Sequence, residues 1–511
     1  MRGNAILDLR RVAVPAAIAA GAAAVAGFAP LDWSLLAPVA LAFLFYLWVS
    51  TDSPRRAALL GYAFGLGHFG TGVSWIYVSL HDFGDMPVPL AAIATALYCG
   101  YLALFPALVG SLQARAGVGR AARLLLVIPA LWMLAEWLRG WLLGGFPWLA
   151  LGYAQIDTPL AGYAPLVGVY GLSFAAAMLA GLLVLLATGG AGVSLRQRAA
   201  VRLGAAAGIA VILSGGTALR GIEWTAPAGK PITVALVQGN IAQSLKFDPR
   251  RYAETLDTYL ALVEDASARL IVLPETAIPR FLDAVDPAYL DALALRAREQ
   301  GGDLLLGVPT SDRAGRYYNS VVSLGVSPAQ IYSKSHLVPL GEFVPPEFGW
   351  IVKILSIPLS DFTPGPARPE PIAAAGERVA VDICYEDAFG EEIIRQLPQA
   401  SLLVNASNVA WFGDSLAPAQ HLQISRMRAL ETGRPMLRAT NTGVTAIVDA
   451  HGRVAGRLPQ FTQGVLEGTV QGRTGATPYV RFGNAPALVL ALAALLAALA
   501  WPAVSARSQS R

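Results

Sequence analysis

Apolar runs long enough to cross a bilayer as a helix recur at 12–28, 34–49, 57–80, 88–112, 124–143, 166–188, 203–219 and 485–501. No other feature restricts the fold as strongly, because a spanning segment has to satisfy its backbone polar groups within itself. Nothing comparable lies between Arg220 and Arg481. The pattern predicts a multi-span α-helical membrane domain over 1–220 with seven transmembrane helices. A globular domain over 221–481 follows, and then an eighth transmembrane helix with its tail over 482–511. A hydrophobic fraction of 55% against 14% charged residues agrees with that division.

The arginines set the orientation. Arg2, Arg10 and Arg11 precede the first run, and Arg55 and Arg56 follow the second. Arg115, Arg120 and Arg123 follow the fourth, Arg196, Arg198 and Arg202 the sixth, and Arg507 and Arg511 the eighth. All of these fall on one side, while the opposite connections 29–33 and 81–87 have no Lys or Arg. By the positive-inside rule both termini are expected in the cytoplasm and the globular domain outside it, with the first run kept as an anchor. The net charge of +4 is then a topology signal, which leaves little for nucleic-acid binding.

An extracytoplasmic domain can form disulfides, yet Cys384 has only Cys99 for company, and Cys99 falls inside the fourth run. A lone thiol in an oxidising space points to a chemical role. The five scattered histidines form no ligand cluster, so neither a metal nor any other cofactor is expected.

Past Pro231 short strand-like runs alternate with amphipathic stretches. Strands are expected at 232–241, 269–278, 303–310, 317–325, 330–338, 377–386, 401–409 and 438–449, and helices at 249–268, 287–300 and 417–432. Interleaved strands and helices argue an α/β domain. Three strand ends carry candidate chemistry: Glu275 in VLPETAIP, Lys334 and Glu342 in YSKSHLVPLGEFVP, and Cys384 in VDICYEDAF. The 341–371 stretch, rich in proline and glycine, is expected to be a long irregular loop.

Each candidate also has a plain structural reading. Cys384 could be a small buried hydrophobe. As a nucleophile it would need a nearby cation and an adjacent base. Lys334 could be a solvated surface lysine, but only four of the 38 basic residues are lysine, so this chain writes arginine wherever charge alone suffices. Glu275 lies in an apolar setting that should raise its pKa and let it accept a thiol proton. Glu342 could orient the lysine or share the proton, and Glu386 and Asp387 read as structural or as shaping the pocket. Trp411 and Phe412 read as packing residues or as a lid. Arg426, Arg428 and Glu431 read as structural ion pairs on a helix, and Glu136 and Arg139, three apart in the fifth run, can pair on one face.

Taken in order, LPET, YSKSHLVPLGEFVP and ICYEDAF resemble the nitrilase superfamily, whose signature is a Glu-Lys-Cys set on an αββα sandwich. GVSWIYVSLHDFGDMP (72–87), GFPWLALGYAQ (145–155), VQGNIAQSLKFD (237–248) and HLQISRMRALETGRPMLRATNTGVTA (421–446) resemble its membrane-embedded branch, the apolipoprotein N-acyltransferases. The resemblance implies a bacterial inner-membrane enzyme whose nitrilase-like domain is periplasmic. It implies catalysis by Glu275, Lys334 and Cys384 in a pocket shaped by Tyr385 and Glu386, with a phospholipid acyl donor and a diacylglyceryl apolipoprotein acceptor, both held in the bilayer. Nothing in the sequence requires more than a monomer. The rivals are a membrane-tethered amidase, which would need only one anchor, and a transporter or receptor with an inactive nitrilase-like domain, which the sparse intramembrane charges disfavour.

Overall fold

The structure, a computed structural model, describes residues 2–51, 53–189, 194–339, 341–343 and 361–500. Most of the 341–371 loop, together with Arg507 and Arg511, lies outside them. The chain packs as two units. One holds the described residues of Met1–Ser74, Ala92–Ile222 and Phe482–Arg511, and the other holds Trp75–Ala91 with Glu223–Arg481.

The first unit is helical. Among the described residues four helices meet the length and hydropathy of a membrane span, at Val88–Arg115, Arg120–Arg139, Pro159–Thr188 and Leu195–Leu219. Shorter apolar helices lie at Val12–Gly27, Leu36–Val49 and Ala485–Ala500. Large apolar side chains such as Leu97, Leu203, Val211 and Leu499 stand exposed on these helices, as lipid-facing residues would. Arg2–Ala24 and Pro54–Gly72 approach so closely that a Cβ on Gly67 would lie 1.9 Å from the Ile18 carbonyl oxygen, the small-residue contact that lets helices pack without a hydrophobic drive.

Two expectations change in this unit. The third apolar run does not continue to 80. Its helix ends at Gly72, and a separate helix, Ile76–His81, belongs to the other unit. Glu136 and Arg139 make no ion pair with each other. Instead, Glu136 Oε1 accepts from Trp132 Nε1 and the Leu151 N–H, and Arg139 donates to the carbonyls of Phe146 and Trp148.

The second unit is built on two six-stranded sheets. In spatial order the first runs Gly464–Val470, Ile232–Gln238, Leu270–Val272, Asp303–Ser311, Tyr317–Gly325 and Ile331–Ser333. The second runs Val454–Arg457, Ala446–Val448, Met436–Thr440, Leu402–Ser407, Glu377–Ile383 and Ile372–Ala374. Three adjacent central strands in each sheet are parallel.

Between the sheets lies a core that includes Val234, Leu236, Val272, Leu305, Val379, Val381, Val404 and Leu437. Helices Tyr252–Asp265 and Pro287–Glu299 cover the outer face of the first sheet, and Ala417–Thr432 covers that of the second. The layers are therefore α-β-β-α, the sandwich the resemblance implies. Strands buried on both faces read as unbroken apolar runs, and Leu402–Ser407 is buried at every position.

The observed strands are shorter than their apolar runs. Leu270–Val272 stops before Pro274, and Glu377–Ile383 gives way at Cys384 to a 3-10 turn over Cys384–Ala388. The run at 438–449 is a hairpin, Met436–Thr440 paired antiparallel with Ala446–Val448. Proline and the turn residues break runs that hydrophobicity alone would extend.

Candidate active site

Parallel strands of both sheets end at one place. Leu270–Val272 leads into Glu275, Glu377–Ile383 into Cys384, and Leu402–Ser407 into Asn408, and Lys334 follows the edge strand Ile331–Ser333. The carboxyl ends of parallel strands are where open α/β sheets present chemistry, since the sheet fixes the backbone and the loops leave room. Two residues here hold left-handed backbone, Thr276 (φ 49°) directly after Glu275 and Cys384 itself (φ 52°). Each such non-glycine conformation costs roughly 1–3 kcal/mol and persists only where surrounding contacts dictate it.

For Cys384 those contacts are specific. Its carbonyl oxygen accepts from Asn405 Nδ2 at 3.0 Å and lies 3.1 Å from His421 Nε2. His421 Nε2 is 2.7 Å from Asp387 Oδ1, and Asp387 Oδ2 is met by Ser425 Oγ and by Arg438 Nη1. This buried network anchors the turn from beneath. Glu386 anchors it from the side, since Oε2 accepts from the Ile383 N–H and Tyr332 Oη, and Oε1 from the N–H groups of Ser335 and His336 and from Ser335 Oγ. One carboxylate therefore ties the cysteine turn to the segment just after Lys334.

The ionic centre is buried, with Lys334 1% and Glu275 7% exposed. Lys334 Nζ is 2.8 Å from Glu342 Oε2 and 3.3 Å from Glu275 Oε1. Asn319 Nδ2 donates to Oε1 of both carboxylates at 2.7 Å, and the Asn408 N–H donates to Glu275 Oε2 at 2.8 Å. Burial alone would raise the Glu275 pKa. Lys334, Asn319, Lys246 and the Asn408 N–H outweigh it and hold the carboxyl below its ordinary value, so the raised pKa expected from the apolar setting is corrected. Burial lowers the pKa of Lys334, but Glu342 and Glu275 more than reverse that and keep it charged. Cys384 is pushed up to about 12 by burial and by Glu275, despite the opposing pull of Lys334. The free site thus holds a neutral thiol in the field of an ionised carboxylate and an ammonium.

Tyr385 packs its ring edge-on against Phe389 at 5.1 Å and against His336 at 5.8 Å. Trp411 and Phe412 lie in the short turn Val409–Phe412, half-buried. Ser79 Oγ donates to the Trp411 carbonyl, and the Phe412 ring meets Trp75 at 4.6 Å. Arg428 pairs with Glu431 at 3.1 Å, as expected, while Arg426 Nε donates to the Gly452 carbonyl.

The sequence reading missed Asn319, Asn408, His421, Asp387 acting with Arg438, and Lys246, whose ammonium donates to the Glu275 carbonyl at 3.2 Å. Lys246 alone carried a usable signal, being one of only four lysines in the chain. The others are ordinary polar residues whose partners lie far away in sequence.

Comparison with known proteins adds two family matches. Residues 20–182 match the apolipoprotein N-acyltransferase N-terminal domain, and 233–479 match carbon-nitrogen hydrolase. The chain is 52% identical to the apolipoprotein N-acyltransferase of Nitrosomonas europaea over 485 residues, 94% of this chain and 95% of that one. It is 49% identical to the protein of that name from Methylococcus capsulatus, over 91% of each chain. For the one from Ralstonia nicotianae the figures are 48%, 96% and 94%.

Proposed function

As this chain belongs to the apolipoprotein N-acyltransferase family, we propose that it completes lipoprotein maturation through a thioester on Cys384. It is a bacterial membrane protein and an acyltransferase. The donor is the sn-1 ester of a phospholipid, and the acceptor is the α-amino group of the N-terminal diacylglyceryl-cysteine of an apolipoprotein.

In the first half-reaction Glu275 takes the Cys384 proton as sulfur attacks the ester carbon. Lys334 and the Tyr385 N–H stabilise the oxyanion. With a thiol pKa near 12 and an ionised Glu275 at rest, proton transfer has to accompany C–S bond formation. The C–O bond then breaks, Glu275 returns the proton to the departing oxygen, and lysophospholipid leaves. In the second half the neutral amine attacks the thioester, Glu275 accepts an amine proton, and the C–S bond breaks. The amide is released, and sulfur recovers its proton from Glu275. One acyl-enzyme and two substrates in turn make the scheme ping-pong. Glu342 keeps Lys334 charged, Glu386 holds the turn, and Trp411 and Phe412 would serve as a lid.

The same proposal extends to topology. The apolar runs and the arginine distribution support eight spans, cytoplasmic termini and a periplasmic catalytic domain over 221–481, between membrane segments 1–220 and 482–511. Both substrates are held by acyl chains, each buried CH₂ adding about 0.8 kcal/mol. An enzyme working at the bilayer surface spares them extraction. A monomer suffices for the chemistry.

The observation that carries the reading is the ion-paired Glu275–Lys334 couple in the field of the Cys384 thiol. Its test is to incubate membranes with a fluorescent phospholipid and then with a diacylglyceryl peptide. Native protein should gain label as a thioester and pass it to the peptide amine, and Cys384→Ala should do neither. Label on the peptide in Cys384→Ala, or hydrolysis of a small amide without acyl transfer, would reject it.

A further inference from the structure

Lys246 closes the short helix Gln243–Lys246 and is 2% exposed. Its Nζ donates to the main-chain oxygen of Glu275, and among the described residues no carboxylate lies within 4.0 Å of it. An ammonium buried without a counter-ion in contact is costly, and this chain writes arginine almost everywhere else. Gln243, one turn earlier, accepts from Asn408 Nδ2 at 2.9 Å, and the Asn408 N–H is the donor to Glu275 Oε2. The helix therefore reaches Glu275 by two routes, directly at the main chain and through Asn408 at the carboxylate.

The charges in the centre explain why a second cation belongs there. Glu275 and Glu342 share Asn319 and Lys334. With one ammonium shared between two carboxylates, Glu275 would be drawn toward its protonated form, in which it cannot act as a base. The cations whose charge bears on Glu275 or Cys384 are Lys334 from the first-sheet edge, Lys246 from its own helix and Arg438 from the second sheet, and the carboxylate beside them is Glu342. Arg438 is already engaged by Asp387.

We infer that Lys246 is a positioning residue of the acyl-transfer site, fixing the Glu275 main chain and supplying positive charge that keeps Glu275 ionised while Cys384 gives up its proton. The inference rests on the acyl-transfer reading above only for the identity of the reaction. Burial holds the Lys246 pKa down to about 8, so its charge is present at neutral pH and lost on the alkaline side.

The test uses full-length protein in phospholipid bilayers with Cys99→Ala, so that Cys384 is the only thiol. Iodoacetamide alkylation of Cys384 is followed from pH 6.5 to 9.5 beside acyl-enzyme formation from a fluorescent phospholipid. Lys246→Met should slow alkylation at pH 7 about tenfold or more and move the acid limb of acyl-enzyme formation up by about one pH unit. Lys246→Arg should start below the native rate at pH 7, because a planar guanidinium replaces a compact ammonium in a closed site, and gain on it by pH 9, because guanidinium does not titrate there.

A native alkylation rate in Lys246→Met, or Lys246→Arg tracking the native protein through pH 9, overturns the inference. Should Lys246→Met fail to fold, the Lys246→Arg comparison decides alone. Absence of acyl-enzyme in the native protein would sink the acyl-transfer reading and leave alkylation to judge Lys246.

Discussion

Lys334 Nζ stands closer to Glu342 Oε2, at 2.8 Å, than to any other carboxylate oxygen in the site. The lysine is thus neutralised chiefly by a residue outside the proposed Glu-Lys-Cys set, which would leave Glu275 freer to exchange a proton. Glu342→Gln should throw Lys334 onto Glu275 and depress its basicity further. We expect acyl-enzyme formation to slow about tenfold or more, read as the rate of thioester labelling by a fluorescent phospholipid. An unchanged rate would leave Glu342 without a part in the chemistry.

The thiol should be quiet in the resting enzyme. With its pKa pushed up to about 12, Cys384 in a Cys99→Ala background should be alkylated slowly at pH 7.5, with a rate still rising at pH 10. The urea-unfolded chain should level off near pH 9, the ordinary thiol range. A plateau below pH 8 in the folded protein would mean a preformed thiolate.

Acid should weaken the fold through Glu275. Its folded pKa lies below the ordinary carboxylate value, so its stabilisation is in place above that value and fades as pH falls through the depressed one. Between pH 7 and about 3, the native protein should therefore lose more thermal stability than Glu275→Gln does. Parallel Tm curves for the two proteins would contradict this.

Glu386 accepts from five donors, the Ile383 N–H, Tyr332 Oη, the Ser335 N–H and Oγ, and the His336 N–H. Glu386→Ala strands the buried Ile383 N–H at about 1–3 kcal/mol and leaves the half-buried Ser335 and His336 N–H groups without their acceptor, and a Tm drop of several degrees with loss of thioester labelling should follow. Glu386→Gln keeps one oxygen acceptor and should fall between the two. Native stability in the alanine variant would rule out the brace.

Gly307 lies against the loop that carries the proposed base. A Cβ there would sit 2.1 Å from the Pro274 carbonyl oxygen and 2.8 Å from Glu275 Cα. Gly307→Ala should displace the Glu275 backbone, cost about 1–3 kcal/mol in stability, and reduce kcat more than the stability loss explains. A variant with native kcat would show that the loop yields at no cost to catalysis.

How far the sequence could be read depended on where the controlling partners lie. The alternation of strands and helices was legible because buried parallel strands write themselves as apolar runs, and Glu275, Lys334 and Cys384 stood out at strand ends. The fall in the Glu275 pKa was not legible, because its causes sit at 246, 319, 334 and 408, while a local reading saw only apolar neighbours. Lys246 was missed although the scarcity of lysine that marked Lys334 applied to it equally. The end of the third apolar run was hidden for another reason. Trp75–Leu80 is as apolar as a span, but Trp75 and Ser79 meet Gln420 and Trp411 of the α/β unit, and hydropathy cannot distinguish a protein partner from lipid.

The proposed base and the ammonium arrive on one sheet and the sulfur on the other, so on this reading neither half of the sandwich is chemically competent by itself. Reactivity is in effect a gauge of how the two layers are seated. A substitution deep among Val234, Val272, Val381 and Val404, touching no reacting atom, could mute the enzyme by letting one layer slide a fraction of an ångström across the other.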